Sequence, residues 1–225
     1  MRILLLLLLF IAACKGQSSK QTNSTTEPRP SSVAMPVKPT TLFTSPTYAC
    51  NYDLQKKRCQ QIFDEHKKQK LPGSKRKLIS YITDSLLPCW YGTPWDFNGI
   101  TEVPGQGKIA CGYFVTTTLR DAGMKINRYK MAQCVSQNLL YDLCSDFKKF
   151  SNKPLDYFVK EVDKSGYGLY IVGLDNHTGY IYHDGRDIWF IHSGFLPPRC
   201  TLKEKAIESE TLRRSAYRVL GRIIL

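Results

Sequence analysis

The chain has 225 residues, of which 42% are hydrophobic and 23% charged. That is enough for one well-packed domain, short for two, and too apolar for a disordered chain. The formal charge is +13, and eight cysteines are too few for a small disulfide scaffold of this length.

Arg2 precedes an unbroken apolar run, Ile3 to Ile11, which is followed by Ala12, Ala13 and Cys14. A permanent membrane span needs about 20 residues, so residues 1–13 read as a secretion signal. The sequence Ile11-Ala12-Ala13-Cys14 resembles the lipobox of bacterial lipoproteins. This implies that Cys14 carries the lipid and that the protein sits on a membrane, with the outer membrane facing the periplasm, or the cell surface, as the expected place. Ser, Thr and Pro make up 17 of the 32 residues from Lys15 to Pro46. With no apolar periodicity to offset its ordering entropy, this stretch reads as a tether over 14–46. The folded domain is then expected over 47–225.

Within that domain, Asp53 to Lys70 has helical composition, with Leu54, Ile62 and Phe63 near one face. Pro72-Gly73 stops it, and Ser74 can cap a second helix running to the break at Pro88. A loop rich in glycine and aromatic residues covers Cys89 to Lys108. Helices are expected over Cys111 to Ala122, with Gly123 as C-cap, over Ala132 to Cys144, and over Leu155 to Lys164 behind Pro154. The period then changes. Leu169 to Leu174, Gly179 to Tyr182 and Ile188 to His192 read as strands, separated by Asp175-Asn176 and Asp184-Gly185. A helix beginning near Lys203 and a strand over Tyr217 to Leu225 complete an α+β order, helices packed on a mostly antiparallel sheet.

Two regions carry chemistry. Cys111 stands where a loop enters a helix, and a thiol at a helix N-terminus is expected to have a lowered pKa. Three of the four histidines, His177, His183 and His192, fall within sixteen residues of the hairpin region. Antiparallel pairing can set His177 beside His192, giving nucleophile, base and orienter in the order a thiol hydrolase needs. His183, next to Asp184-Gly185, reads as an exposed turn residue.

Over residues 91–194 the chain resembles the NlpC/P60 cysteine peptidases, a papain-like family that cuts peptides of bacterial cell walls. The resemblance rests on Gly92-Thr93-Pro94-Trp95-Asp96-Phe97-Asn98-Gly99, on Ala110-Cys111-Gly112-Tyr113-Phe114-Val115, on His177-Thr178-Gly179-Tyr180, and on Trp189-Phe190-Ile191-His192-Ser193. It implies a papain-like fold and a Cys111, His177, His192 triad. The Cys111 backbone N–H, with Trp95 in the oxyanion or substrate groove, would complete it. The substrate implied is an amide in a peptidoglycan peptide, cut by a monomer without cofactor or metal. Two departures bear on selectivity: Ala110 replaces the family's acidic residue, and Trp95 replaces a tyrosine.

Alternatives to this reading are a thiol hydrolase or acyltransferase acting on another amide or ester, and a catalytically inactive binding lipoprotein. A zinc site from His177, His183, His192 and Cys200 fits no common ligand spacing. Cys50, Cys59, Cys89, Cys134, Cys144 and Cys200 can pair in 15 ways, and the sequence does not choose among them. Residues 51–77 carry nine Lys or Arg against three acids, a charge suited to anionic lipid or wall polymer or to plain solvation. Nucleic acid is not an expected partner of an exported, anchored domain.

Overall fold

The computed structural model describes residues 42–45, 50–69, 71–134 and 136–225. The secretion signal, Cys14 and the tether up to residue 41 lie outside the described residues.

The domain is α+β, built on one seven-stranded sheet in which every pairing is antiparallel. The strands are β1 (Leu42–Phe43), β2 (Cys144–Ser151), β3 (Gly168–Leu174), β4 (Thr178–His183), β5 (Ile188–Ser193), β6 (Thr201–Lys205) and β7 (Tyr217–Ile223). Their order across the sheet is β1-β6-β5-β4-β3-β7-β2. The helices are α1 (Tyr52–Gln69), α2 (Ser74–Tyr81), α3 (Cys111–Asp121), α4 (Arg128–Ala132), α5 (Ser136–Leu143), α6 (Leu155–Ser165) and α7 (Glu210–Arg214).

Both faces of the central strands are covered. Tyr180, Tyr182, Trp189 and Ile191 pack in one core with residues of α1, α2, α3 and α5, while Ile181, Phe190, Val172 and Leu220 pack with α6 and α7 in a second. A strand buried on both sides reads as a continuous apolar run, which is why Leu169 to Leu174 stands out in the sequence. The turn after β4 is set by Asp184, whose Oδ1 accepts the backbone N–H groups of Arg186 and Asp187, each at 2.8 Å.

Several elements depart from expectation. Cys144 to Ser151 is an edge strand on β7, not the end of a helix. Only Cys144 and Phe150 in it are buried, so local composition carries little strand signal and the pairing partner, seventy residues on, decides. Ala132 to Cys144 is accordingly not one helix but α4 and α5. Thr201 to Lys205 is a strand, and the helix expected from Lys203 shrinks to α7, where Ser209 accepts Leu212 N–H. The second helix passes Pro88: a π turn over Ile82–Leu86 and a 3-10 turn over Leu87–Trp90 follow α2. Proline is tolerated there because it stands in a first turn, where its missing N–H has no partner to lose. Gly73 occupies the N-cap of α2. The Ser74 hydroxyl instead donates to Leu71 O at 2.6 Å. Leu54 is exposed, and α1 buries Cys59 and Phe63. Leu42–Phe43, placed by composition in the tether, pairs with β6, and the Phe43 ring meets Trp189 edge-on at 5.8 Å. One disulfide, Cys50–Cys89, joins the chain ahead of α1 to the 3-10 turn. Cys59, Cys111, Cys134, Cys144 and Cys200 are free thiols.

Candidate active site

Cys111 opens α3, the helix whose buried face, Phe114, Val115 and Thr118 among others, lies on the sheet. The Tyr180 hydroxyl donates to Val115 O at 3.0 Å and shares a 2.6 Å hydrogen bond with the Thr118 hydroxyl, tying α3 to β4. The approach to Cys111 is equally fixed. Ile109 N–H donates to Pro94 O, Ala110 N–H to Gly99 O, and the Ser193 hydroxyl to Ile109 O at 2.7 Å. Gly112 is needed because a Cβ there would stand 2.6 Å from Ala132 O. The end of α4 thus packs directly against the start of α3.

His177 precedes β4 in a turn held by Asp175. The Asp175 carboxylate accepts from the Ser215 hydroxyl at 3.0 Å, Ala216 N–H at 2.7 Å and Tyr217 N–H at 3.1 Å. Cys111 and His177 line one cavity of about 250 Å³, together with Cys134, Asp175, Asn176 and Thr178. Behind His177 lies His192 of β5, with 2.8 Å between His177 Nε2 and His192 Nδ1. His177 Nδ1 is the ring nitrogen not engaged by His192. Gly179 makes this pairing possible, since a Cβ at that position would stand 2.7 Å from His192 Cβ and 2.8 Å from the Phe190 ring.

The titration of the pair differs from the expected lowered thiol pKa. Burial pushes the Cys111 thiol up, and the backbone N–H groups of Thr178, Gly112 and Cys111 itself only partly offset it. Burial, and after it the repulsion that His177 and His192 would exert on each other if both were protonated, holds His177 well below the usual histidine value. Both directions favour a neutral thiol beside a neutral imidazole, because a helix terminus stabilises a thiolate less than desolvation penalises it here.

Trp95 does not line the Cys111 cavity. It stands one ring away: Phe195 lies 5.3 Å from His177 and 6.2 Å from Trp95 between centroids. Trp95 Nε1 is buried without a hydrogen-bond partner among the described residues, leaving a donor unused. His183 is not an exposed turn residue. It ends β4 buried, with Nε2 3.0 Å from Asp163 Oδ1, while its Nδ1 accepts Gly185 N–H. That commitment takes it away from the other two histidines. The larger cleft, about 1170 Å³, lies at the other end of α3 by Arg120 and Asp121 and is lined by Cys50 and Cys89. The two cysteines that line it form the disulfide, so among the described residues it offers no free thiol.

Glu204 of β6 is the residue that the sequence reading missed. Its Oε1 lies 3.2 Å from His192 Nε2, extending the line to His177, His192 and Glu204. Once β6 is recognised as a strand, its alternation gives the signal: a carboxylate stands opposite Phe190, at an inward position where an apolar residue is the default. No protein-family model matches the chain, and no curated protein or solved structure matches it.

Proposed function

We propose that this chain is a thiol hydrolase of the NlpC/P60 kind, held on a bacterial membrane by a lipid on Cys14 and cleaving amide bonds in cell-wall peptides. The observation that carries the reading is the shared cavity of Cys111 and His177, with His192 bonded to the far side of the imidazole. His177 Nδ1 takes the thiol proton as Sγ attacks the carbonyl carbon, so the thiolate forms during attack and is not stored at rest. The Cys111 backbone N–H, in the first turn of its helix where no intrahelical carbonyl takes it, supports the oxyanion. Protonated His177 then returns the proton to the leaving amine, and water releases the acyl group from Cys111.

One observation favours a different acyl substrate within the same chemistry. In the resemblance Ala110 takes the place of the family's acid ahead of the cysteine, and the Asp175 carboxylate in the cavity is already taken by three donors. A substrate with a capped or neutral end, another amide or an ester, suits that lining. Incubation with peptidoglycan fragments bearing free or acetylated amino termini, with products read by mass spectrometry, tests both readings. Release of amine from either set supports hydrolysis, and the preferred set identifies the substrate end. No release from either, with Cys111→Ala indistinguishable from the wild type, overturns the proposal.

A further inference from the structure

We propose that Glu204 is a positioning residue that fixes the tautomers of both histidines and thereby leaves His177 Nδ1 as the basic nitrogen in the cavity His177 shares with Cys111. The inference rests on the proposed function for its purpose, though not for its geometry.

The His192 ring is almost wholly buried, and both of its nitrogens are engaged, Nδ1 with His177 Nε2 at 2.8 Å and Nε2 with Glu204 Oε1 at 3.2 Å. Its plane is held by Phe190, stacked at 3.9 Å between centroids and 16° between planes. Turning the ring over would keep it stacked but break both hydrogen bonds. A carboxylate only accepts, so its hydrogen bond places the His192 proton on Nε2. A neutral imidazole with Nε2–H has a bare Nδ1, which accepts. His177 must then donate from Nε2–H, and its own Nδ1 is left unprotonated. One carboxylate, two rings away, so decides which nitrogen of the base is basic.

The setting of Glu204 argues against a packing role. It is buried at the face of β6 opposite Phe190, and among the described residues no lysine or arginine pairs with it. Its neighbours Lys203 and Lys205 turn to the other face, over Trp189. A buried carboxylate facing a histidine is costly beside an apolar residue of similar volume, and the tautomer assignment supplies what that cost obtains. During attack the S–H bond of Cys111 breaks and an N–H bond forms at His177 Nδ1. No other proton moves. The imidazolium keeps donating from Nε2, and the Glu204 charge at the end of the line favours it.

The test is nitrogen NMR of the full chain labelled with 15N-histidine, recorded through two-bond couplings that distinguish protonated from bare ring nitrogens. The wild type is expected to show Nε2–H with bare Nδ1 for both His177 and His192. A wild-type spectrum with Nδ1–H on His177 overturns the inference, and needs no variant to fold. In Glu204→Gln, the side-chain amide can donate as well as accept, so the Nε2–H assignment should be lost at one or both histidines and kcat should fall tenfold or more with KM unchanged. An E204Q protein that keeps both tautomers and its kcat also overturns it. Failure of the hydrolase reading is separate: it appears as unchanged hydrolysis in Cys111→Ala, with the wild-type tautomers as assigned.

Discussion

Gly179→Ala is the most specific perturbation of the site that leaves every reacting group in place. The added Cβ would stand 2.7 Å from His192 Cβ, 2.8 Å from Phe190 Cε2 and 2.9 Å from Ile191 O, against the 3.4 Å at which ordinary contact begins. Neither a Cβ nor a backbone carbonyl can swing aside as the end of a flexible side chain does, so β4 and β5 must separate by about 0.7 Å. Taken up at His192, that shift stretches its 2.8 Å hydrogen bond with His177 to the limit of hydrogen bonding. Overpacking of this kind costs about 1–3 kcal/mol. A displacement near 1 Å around reacting groups costs on the order of 100-fold in rate. Urea unfolding followed by tryptophan fluorescence should show the midpoint lowered with an unchanged slope, and hydrolysis should fall by a factor of tens. A G179A protein with the wild-type midpoint and rate would refute the close packing of Gly179 on His192 and the need for that hydrogen bond.

Three further outcomes follow from the structure. Alkylation of Cys111 by iodoacetamide in a Cys134→Ser background, read by peptide mass, should climb with pH and show no plateau between pH 5 and 8. Such a plateau would instead mark a stored thiolate–imidazolium pair. For His177, the folded pKa lies well below the unfolded value near 6.5, so the unfolded chain binds the proton first and stability is lost as pH falls below 6.5. The loss can reach about 1.4 kcal/mol per pH unit, and His177→Gln should remove that slope from urea midpoints measured between pH 6.5 and 5. An unchanged slope would contradict the depressed value. Replacing Cys50 and Cys89 by serine opens a link between residues 39 apart in sequence. This should lower unfolding stability by about 2–4 kcal/mol while leaving Cys111 alkylation as it was; no change in stability would count against the pairing.

The parts of the site legible in the sequence are those whose signal is local. Cys111 stands at a loop-to-helix change marked by Gly105 and Gly107, and His177 and His192 bracket runs of β-branched and aromatic residues that are strands because both faces are buried. What was illegible depends on distant partners. β2 and β6 are short on apolar residues, and their register comes from β7 and β5. With β6 misread as the start of a helix, Glu204 had no reason to point at His192. His183 misled for the reverse reason, since a histidine beside Asp-Gly looks like a turn residue until Asp163 of α6 is brought against it. The direction of the Cys111 shift was misread because helix position is visible in sequence and burial is not.

The central claim is that Cys111 attacks a carbonyl with His177 as its base. Acid quenching during turnover of cell-wall peptide fragments, followed by intact-protein mass spectrometry, tests it most directly. The account predicts an adduct on Cys111 equal in mass to the acyl half of the cleaved fragment, absent from Cys111→Ala and strongly reduced in His177→Ala. Hydrolysis by Cys111→Ala at the wild-type rate would contradict it.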